Sequence, residues 1–338
     1  MKLISFFMVM TTAGLLLSCN SEQKSDTDSK NLGEAIGKSN VKVENGLLTP
    51  EILHSFGRIG SVEVSPDKSK MLYQVTYVDI KQNKTNPELF VMNTDGSDKR
   101  QLTVTNARES NPQWISGGRK IAFLSSEGGT SQIWTMNPDG SGMKKITEVE
   151  EGINGFVFSP DNKKILFIKN VKRGESAKER YSDLPEASGR IVDDLMYKHW
   201  DNWVEEIPHT FVADFSDDKV SNIIDLLQDE PYEAPMLPFG GIEQLAWSPD
   251  GKTIAYTSRK KTGKEYAVST NSDIYFYDVE SGKTTNMTDG MMGYDVNPQF
   301  SPDGSKLAWQ SMERDGYEAD KNRLFVMDLA TGDKTYVT

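Results

Sequence analysis

A tripeptide that returns along the chain constrains the fold more than any other feature. Ser65-Pro66-Asp67 recurs as Ser159-Pro160-Asp161, Ser248-Pro249-Asp250 and Ser301-Pro302-Asp303, and Ile115-Ser116-Gly117-Gly118 holds the same place in a degenerate copy. Alternating apolar residues precede the copies (Val62 and Val64, Phe156 and Phe158, Leu245 and Trp247), and β-rich runs such as Ile165-Leu166-Phe167 follow them. Period-two alternation on both sides of such a turn predicts a hairpin. Proline presets φ, aspartate bonds the neighbouring backbone, and a following glycine accepts the left-handed conformation. A second hairpin follows the first. Asn93-Thr94-Asp95-Gly96 leads to Leu102-Thr103, and Asn137-Pro138-Asp139-Gly140 leads to Ile146-Thr147. Ser281-Gly282 and Thr331-Gly332 stand ahead of Met287-Thr288 and Val337-Thr338 in the same way. Four short antiparallel strands per unit, at roughly 40 to 53 residues per repeat, predict an all-β chain: a β-propeller of four-stranded blades.

Five blades are visible, starting near residues 61, 110, 153, 243 and 296. The third is interrupted at about 170–208 by a charged, aromatic-rich insertion, and the blade resumes with Phe211 to Phe215. A blade does not need such a segment, so a functional loop or an interface is expected there. The aspartates of the turns are expected to cap them rather than bind calcium, because the spacing of a calcium loop is absent. Trp114, Trp134, Trp247 and Trp309 fall on strands and are expected between blades.

The first residues read differently. Lys2 precedes an apolar run from Leu3 to Leu17 that ends in Leu16-Leu17-Ser18-Cys19, and Cys19 is the only cysteine of the chain. The pattern is that of a signal peptide, residues 1–18, closed by a bacterial lipobox, with Cys19 as the lipidated residue. Two or three acyl chains suffice for stable anchoring, so a membrane partner is expected through Cys19. Residues 19–46 are polar and predict a disordered tether. The propeller is expected over 47–338, opening with a short helix capped by Thr49 with Pro50 at its first position. A net charge of -12 without a basic stretch excludes ordinary nucleic-acid binding, which rests on phosphate neutralisation. The protein is therefore expected in the periplasm or at the outer membrane or cell surface, and its oligomeric state is left open between a monomer and a homo-oligomer.

The repeats resemble the TolB-type, WD40-like propeller repeats. They also resemble those of the prolyl oligopeptidase (S9) family of serine peptidases. The stretch Asp194-Leu195-Met196-Tyr197-Lys198-His199-Trp200-Asp201-Asn202-Trp203, followed by Pro208-His209-Thr210-Phe211-Val212, is similar to a propeller segment of its bacterial dipeptidyl- and acylaminoacyl-type members. The resemblance implies a propeller of seven or eight blades, of which five are visible. It also implies that the propeller gates peptide substrates for a C-terminal α/β-hydrolase domain carrying a Ser-Asp-His triad. No G-x-S-x-G nucleophile motif occurs in the chain, so we expect no catalytic residue here and no activity from this chain alone. The alternative is a TolB-like, non-enzymatic lipoprotein that serves as a binding scaffold.

Candidate contacts to a peptide lie in the insertion. In dipeptidyl-peptidase relatives paired glutamates grip the substrate's amino terminus, and the resemblance assigns that role to Glu205 and Glu206. Two carboxylates facing a cleft suit an ammonium by charge-assisted hydrogen bonds. His199 and Trp200 complete the expected set. The three histidines, His54, His199 and His209, lack the spacing of a metal site, and no metal or other cofactor is expected.

Overall fold

In the computed structural model residues 35–338 are described. The leader 1–18, Cys19 and the tether up to residue 34 lie outside them. Helix α1 (Pro50–Ser55) opens the folded part, and the Thr49 side chain accepts the Ile52 N–H at 3.3 Å, with Pro50 in the first turn. This is the cap expected from the sequence.

Five four-stranded antiparallel sheets follow among the described residues. The first holds β1 (Arg58–Val64), β2 (Lys70–Asp79), β3 (Lys84–Asn93) and β4 (Arg100–Gln101). The second holds β5 (Glu109–Ile115), β6 (Lys120–Ser125), β7 (Gln132–Met136) and β8 (Lys144–Lys145). The third begins with β9 (Gly155–Phe158) and β10 (Lys164–Lys172) and leaves the sheet for α2 (Ala177–Arg180) and a two-stranded hairpin, β11 (Lys198–His199) and β12 (Asn202–Trp203). It returns with β13 (Glu206–Ser216) and β14 (Lys219–Asp225). The fourth contains β15 (Leu245–Trp247), β16 (Thr253–Ser258), helix α3 (Gly263–Val268) in a connection, β17 (Asp273–Asp278) and β18 (Thr284–Asn286). The fifth contains β19 (Val296–Phe300), β20 (Lys306–Ser311), β21 (Arg323–Asp328) and β22 (Lys334–Tyr336). The predicted blade chemistry is thus the observed one.

The turns behave as their residues dictate. In the first blade the Ser65 hydroxyl donates to Asp67 at 2.6 Å while Asp67 accepts the Ser69 N–H at 3.1 Å. The same hydroxyl-to-carboxylate bond recurs at Ser159–Asp161, Ser248–Asp250 and Ser301–Asp303, at 2.7, 2.6 and 2.6 Å. The left-handed position that follows is taken by Gly251 and Gly304, and in two copies by Lys68 and Asn162. These aspartates are turn residues, spent on local hydrogen bonds.

Apolar side chains point alternately to the two faces of each sheet, so the core forms between blades. Four hydrophobic clusters fill the four junctions of consecutive blades. Leu72, Leu89, Ile121 and Phe123 join the first two, and Phe156, Phe167, Ile133 and Leu124 join the second and third. Leu166, Val212, Ile254 and Tyr256 join the third and fourth, and Ala255, Ile274, Leu307 and Trp309 the fourth and fifth. Each fully buried side chain of this size contributes about 1.5–3 kcal/mol relative to exposure. Trp309 is fully buried, whereas Trp114, Trp134 and Trp247 are half-buried against these clusters. One expectation differs. Val62 and Val64, with Ile59, are exposed on β1, because no described sheet packs over that face of the first blade.

The first strands of the blades converge on a common space. A cavity of about 520 Å3 is lined by Glu63, Gln113, Val157, Trp247 and Gln299, one residue from each first strand. Bonds cross between these strands: the Trp114 indole donates to the Glu63 carbonyl at 3.3 Å, and the Trp247 indole to the Val157 carbonyl at 3.4 Å. Strands radiating from a shared axis define a propeller arrangement.

Candidate functional site

The links between second and third strands differ sharply in length. Residues 80–83 and 126–131 turn tightly, whereas 173–205, 259–272 and 312–322 are long. Blades three, four and five therefore carry extended loops in structurally equivalent places, and neighbouring blades bring those loops together.

The longest loop keeps its own local structure. Ser176 and Glu179 form a capping box on α2, which spans Ala177–Arg180. Beyond it, Lys198 pairs with Trp203 and His199 with Asn202 in the β11–β12 hairpin. Trp200 occupies the hairpin turn with φ 52°. A bulky residue in this left-handed region is disfavoured by about 1–2 kcal/mol, so strain is concentrated at an exposed loop tip. Trp200 is 73% exposed and packs edge-on against Phe239, itself 78% exposed, with ring centroids 5.3 Å apart.

The loop of blade four meets the insertion through Gly263. Its φ of 54° suits glycine, and a Cβ there would strike the Asp194 carboxylate. The loop of blade five is fastened to that of blade four. Asp315 accepts the Ser269 hydroxyl at 2.7 Å and the Thr270 N–H at 2.8 Å, and the Thr270 hydroxyl accepts the Gly316 N–H at 2.9 Å.

Between the three loops lies a cleft of about 760 Å3, larger than the axial cavity. Trp200, Phe239, Tyr266, Tyr294 and Tyr317 supply an aromatic lining, with Met196 and Met312. Polar groups are few: His199, Arg259 and Glu318 among the titratable ones, and Lys198 at the hairpin. An apolar cleft with a small number of convergent polar groups is the usual form of a site for a small ligand or a peptide segment.

Tyr266 organises the floor. Its hydroxyl donates to the buried Glu233 carboxylate at 2.7 Å, and Glu233 also accepts the Leu237 N–H at 3.0 Å. Burial first, and then the charge of Glu233, push the Tyr266 phenol far up, so it stays neutral at any physiological pH. Arg259 lies over the Tyr266 ring, its guanidinium carbon 4.7 Å from the centroid, and the His199 ring stands 6.0 Å away in an edge geometry. Both side chains of this pair carry a buried nitrogen without a hydrogen-bond partner, Arg259 Nε and His199 Nε2.

The four residues expected to contact a peptide are split by the structure. His199 and Trp200 line the cleft; Glu205 and Glu206 do not. Glu205 accepts from Arg190 Nε at 2.7 Å, and its carbonyl accepts the Arg173 N–H at 2.9 Å. Glu206 begins β13 opposite Lys172 and accepts from the Asn170 amide at 3.3 Å. Arg190 in turn covers Trp203, 4.4 Å from the ring centroid. The glutamates thus brace the base of the insertion. His209 sits on β13, buried, with Nδ1 2.9 Å from Asp225, and belongs to the blade. No cluster of metal-ligating residues occurs among the described residues. Sequence reasoning missed Arg259, Tyr266, Phe239 and Tyr317. The one available signal was the length of the loops in blades four and five.

The fold is a β-propeller, and residues 38–191 match the TolB beta propeller domain. Dipeptidyl-peptidase 5 of Porphyromonas gingivalis is 53% identical over 290 residues, covering 86% of this chain and 42% of that relative. Dipeptidyl-peptidase 5 of Porphyromonas endodontalis is 47% identical over 284 residues, covering 84% of this chain and 41% of the relative. The chain therefore spans about two fifths of the length of the curated relatives it matches. Among solved structures, the acylaminoacyl peptidase of Pyrococcus horikoshii aligns with a TM-score of 0.59 at 17% identity, over 84% of this chain and 39% of that one. The β-propeller domain of the Trilobed protease from Pyrococcus furiosus aligns with a TM-score of 0.51 at 17% identity, over 84% of this chain and 71% of that one. At such identities the structural likeness speaks for the fold alone.

Proposed function

We propose that this chain is the substrate-gating propeller portion of an exported, lipid-anchored S9-type serine peptidase that acts on peptides and releases dipeptides. The observation that carries the reading is the 53% identity over 290 residues to dipeptidyl-peptidase 5 of Porphyromonas gingivalis, a relative much longer than the match. The sequence of 338 residues holds no G-x-S-x-G, so the nucleophile belongs to residues outside it. What the propeller contributes is access and positioning. A cleft of about 760 Å3 lined by the connections of blades three, four and five admits an extended peptide segment and excludes a folded protein. Trp200 and His199 then touch the substrate, while Glu205 and Glu206 hold the insertion that presents them. Anchoring through Cys19 places the protein on a membrane facing the periplasm or the cell exterior.

The test begins with the native protein, detected with an antibody to the propeller. A band near twice 37.8 kDa is expected, since the 290 matched residues make up only 42% of the relative. That species should release dipeptides from a peptide substrate and be blocked by a serine-directed inhibitor. Trp200→Ala should raise KM about tenfold for long peptides and leave kcat nearly unchanged, because it removes binding rather than chemistry. A native band at 37.8 kDa without hydrolysis would overturn the peptidase reading in favour of a binding scaffold.

A further inference from the structure

The cleft contains an arginine with nothing to neutralise it. The Arg259 side chain makes no ion pair and no hydrogen bond among the described residues, although other basic side chains of these blades are paired: Lys260 with Glu230 at 2.6 Å, Arg323 with Glu313 at 2.7 Å, Arg190 with Glu205 at 2.7 Å. Its one recorded contact is the face of Tyr266. In a chain of net charge -12, leaving a half-buried guanidinium unmatched at the wall of this cleft is unusual, since acidic partners are abundant. Its Nε is shielded from solvent as well as unbonded, and so is Nε2 of His199. A shielded polar atom without a partner is destabilising.

The two groups share a neighbour. Arg259 and His199 both pack against Tyr266, at 4.7 and 6.0 Å from its ring centre, so they stand on one side of the same cleft. The carboxylate that the Tyr266 hydroxyl contacts, Glu233, is occupied by that hydroxyl and the Leu237 N–H. The other acidic lining residue is Glu318, on the loop of blade five. The Arg259 guanidinium, which lines the cleft, is therefore not neutralised by an internal anion.

We propose that Arg259 and His199 form a carboxylate-binding subsite in this cleft, taking one carboxylate of a peptide that also carries an aromatic or large apolar side chain. A planar guanidinium matches a carboxylate in two parallel hydrogen bonds, and the His199 ring lining the cleft beside it can supply a further polar contact. The aromatic lining, with Trp200 and Phe239 at its mouth, accommodates the apolar side chain. Glu318 repels a second negative charge, which limits the site to a single carboxylate. The carboxylate can be the carboxyl terminus of a short peptide or an aspartate or glutamate side chain. This subsite rests on the reading of the cleft as substrate-facing.

The test uses the full native protein and titration calorimetry with three probes. They are N-acetyl-phenylalanine, N-acetyl-phenylalanine amide and N-acetyl-aspartyl-phenylalanine amide. At least one acid should bind tenfold or more tighter than the neutral amide. A preference for the first probe assigns the carboxyl terminus, and a preference for the third assigns an acidic side chain. Arg259→Gln should reduce the preferred acid to the affinity of the neutral amide, and Arg259→Lys should retain part of the preference. Because the Arg259 side chain has no ion-pair or hydrogen-bond partner in the fold and only the Tyr266 ring beside it, both variants should stay folded, with melting temperatures within a few degrees of wild type. Equal binding of acids and amide, no binding of any probe, or full discrimination in Arg259→Gln would overturn the subsite. The peptidase reading is scored separately by the Trp200→Ala hydrolysis kinetics. A rise in KM there, together with no carboxylate preference, sinks only the subsite.

Discussion

Each blade carries a polar residue at the same repeat position of its third strand: Glu88, Gln132, His209, Asp273 and Arg323. In three blades a threonine at the end of the unit serves it. The Thr103, Thr147 and Thr288 hydroxyls donate to Glu88, Gln132 and Asp273 at 2.5, 2.8 and 3.1 Å. The same oxygens accept the N–H of Leu89, Ile133 and Ile274 at 2.9, 2.9 and 3.0 Å. Thr338 does the latter for Leu324 at 3.0 Å. Blade three has Leu227 in place of the threonine and uses Asp225 to hold His209 instead. His209 is thereby a repeat residue rather than a ligand. The network continues into the next blade at Glu109, which accepts the Thr105 hydroxyl at 2.9 Å and the Ser125 hydroxyl at 3.0 Å. Burial first, and the charge of Glu88 in addition, outweigh these bonds and push Glu109 from 4.5 up to about 7. The sign follows from linkage. The fold binds a proton that the unfolded chain releases, so stability is present below about pH 4.5 and is lost as pH rises through about 7. Asp295, raised by burial to about 6, adds to the same trend. Glu109→Gln, which stays neutral at every pH, should therefore come close to wild type near pH 5 and be the more stable of the two by about pH 8, in thermal melts. Parallel pH profiles for the two proteins would show that Glu109 does not titrate in this range.

At the scale of elements, the insertion is attached to the blade by a register that it does not itself supply. β10 and β13 pair continuously from Lys164↔Asp214 to Lys172↔Glu206, and the Phe167 and Phe211 rings stack at 5.5 Å within that ladder. The excursion is therefore 173–205, narrower than the 170–208 that composition suggested, because residues at both edges are strand. Replacing 173–205 by a short turn should keep the sheet content and lower the melting temperature by only a few degrees, since the blade clusters hold none of its large side chains. Loss of cleft binding should accompany it, because Met196, His199 and Trp200 leave with the segment. Circular dichroism and calorimetry on the same sample check both parts. Collapse of the sheet would show that the insertion is a folding element. The position of this insertion was legible from the broken repeat, and so were its two cleft residues, His199 and Trp200. The grouping of Glu205 and Glu206 with them was not. A strand alternates its side chains, and the start of β13 at Glu206 ties these carboxylates to the insertion's base.

For the whole molecule, the blades act as neighbours in series: each junction has its own apolar cluster, and Glu63, Gln113, Val157, Trp247 and Gln299 meet at the axis. The proposed anchor adds a connection to a membrane that no blade provides. Cys19→Ser should move the native protein from the detergent phase to the aqueous phase in a phase-partition assay, leaving peptide hydrolysis per molecule unchanged. Equal partitioning of the two forms would reject lipidation at Cys19.

The hairpins, the turn chemistry, the number of visible blades and the interrupted third repeat were determined by the sequence alone, because each depends on residues within a few positions of one another. Ser159 and Asp161 meet whatever the rest of the chain does. Only the tertiary structure decided the cleft. Trp200, Phe239, Arg259, Tyr266 and Tyr317 come from four separate connections and share no local pattern. They converge because the apolar faces of blades three, four and five bury against one another, which sets the rotation between blades and so the meeting point of their loops.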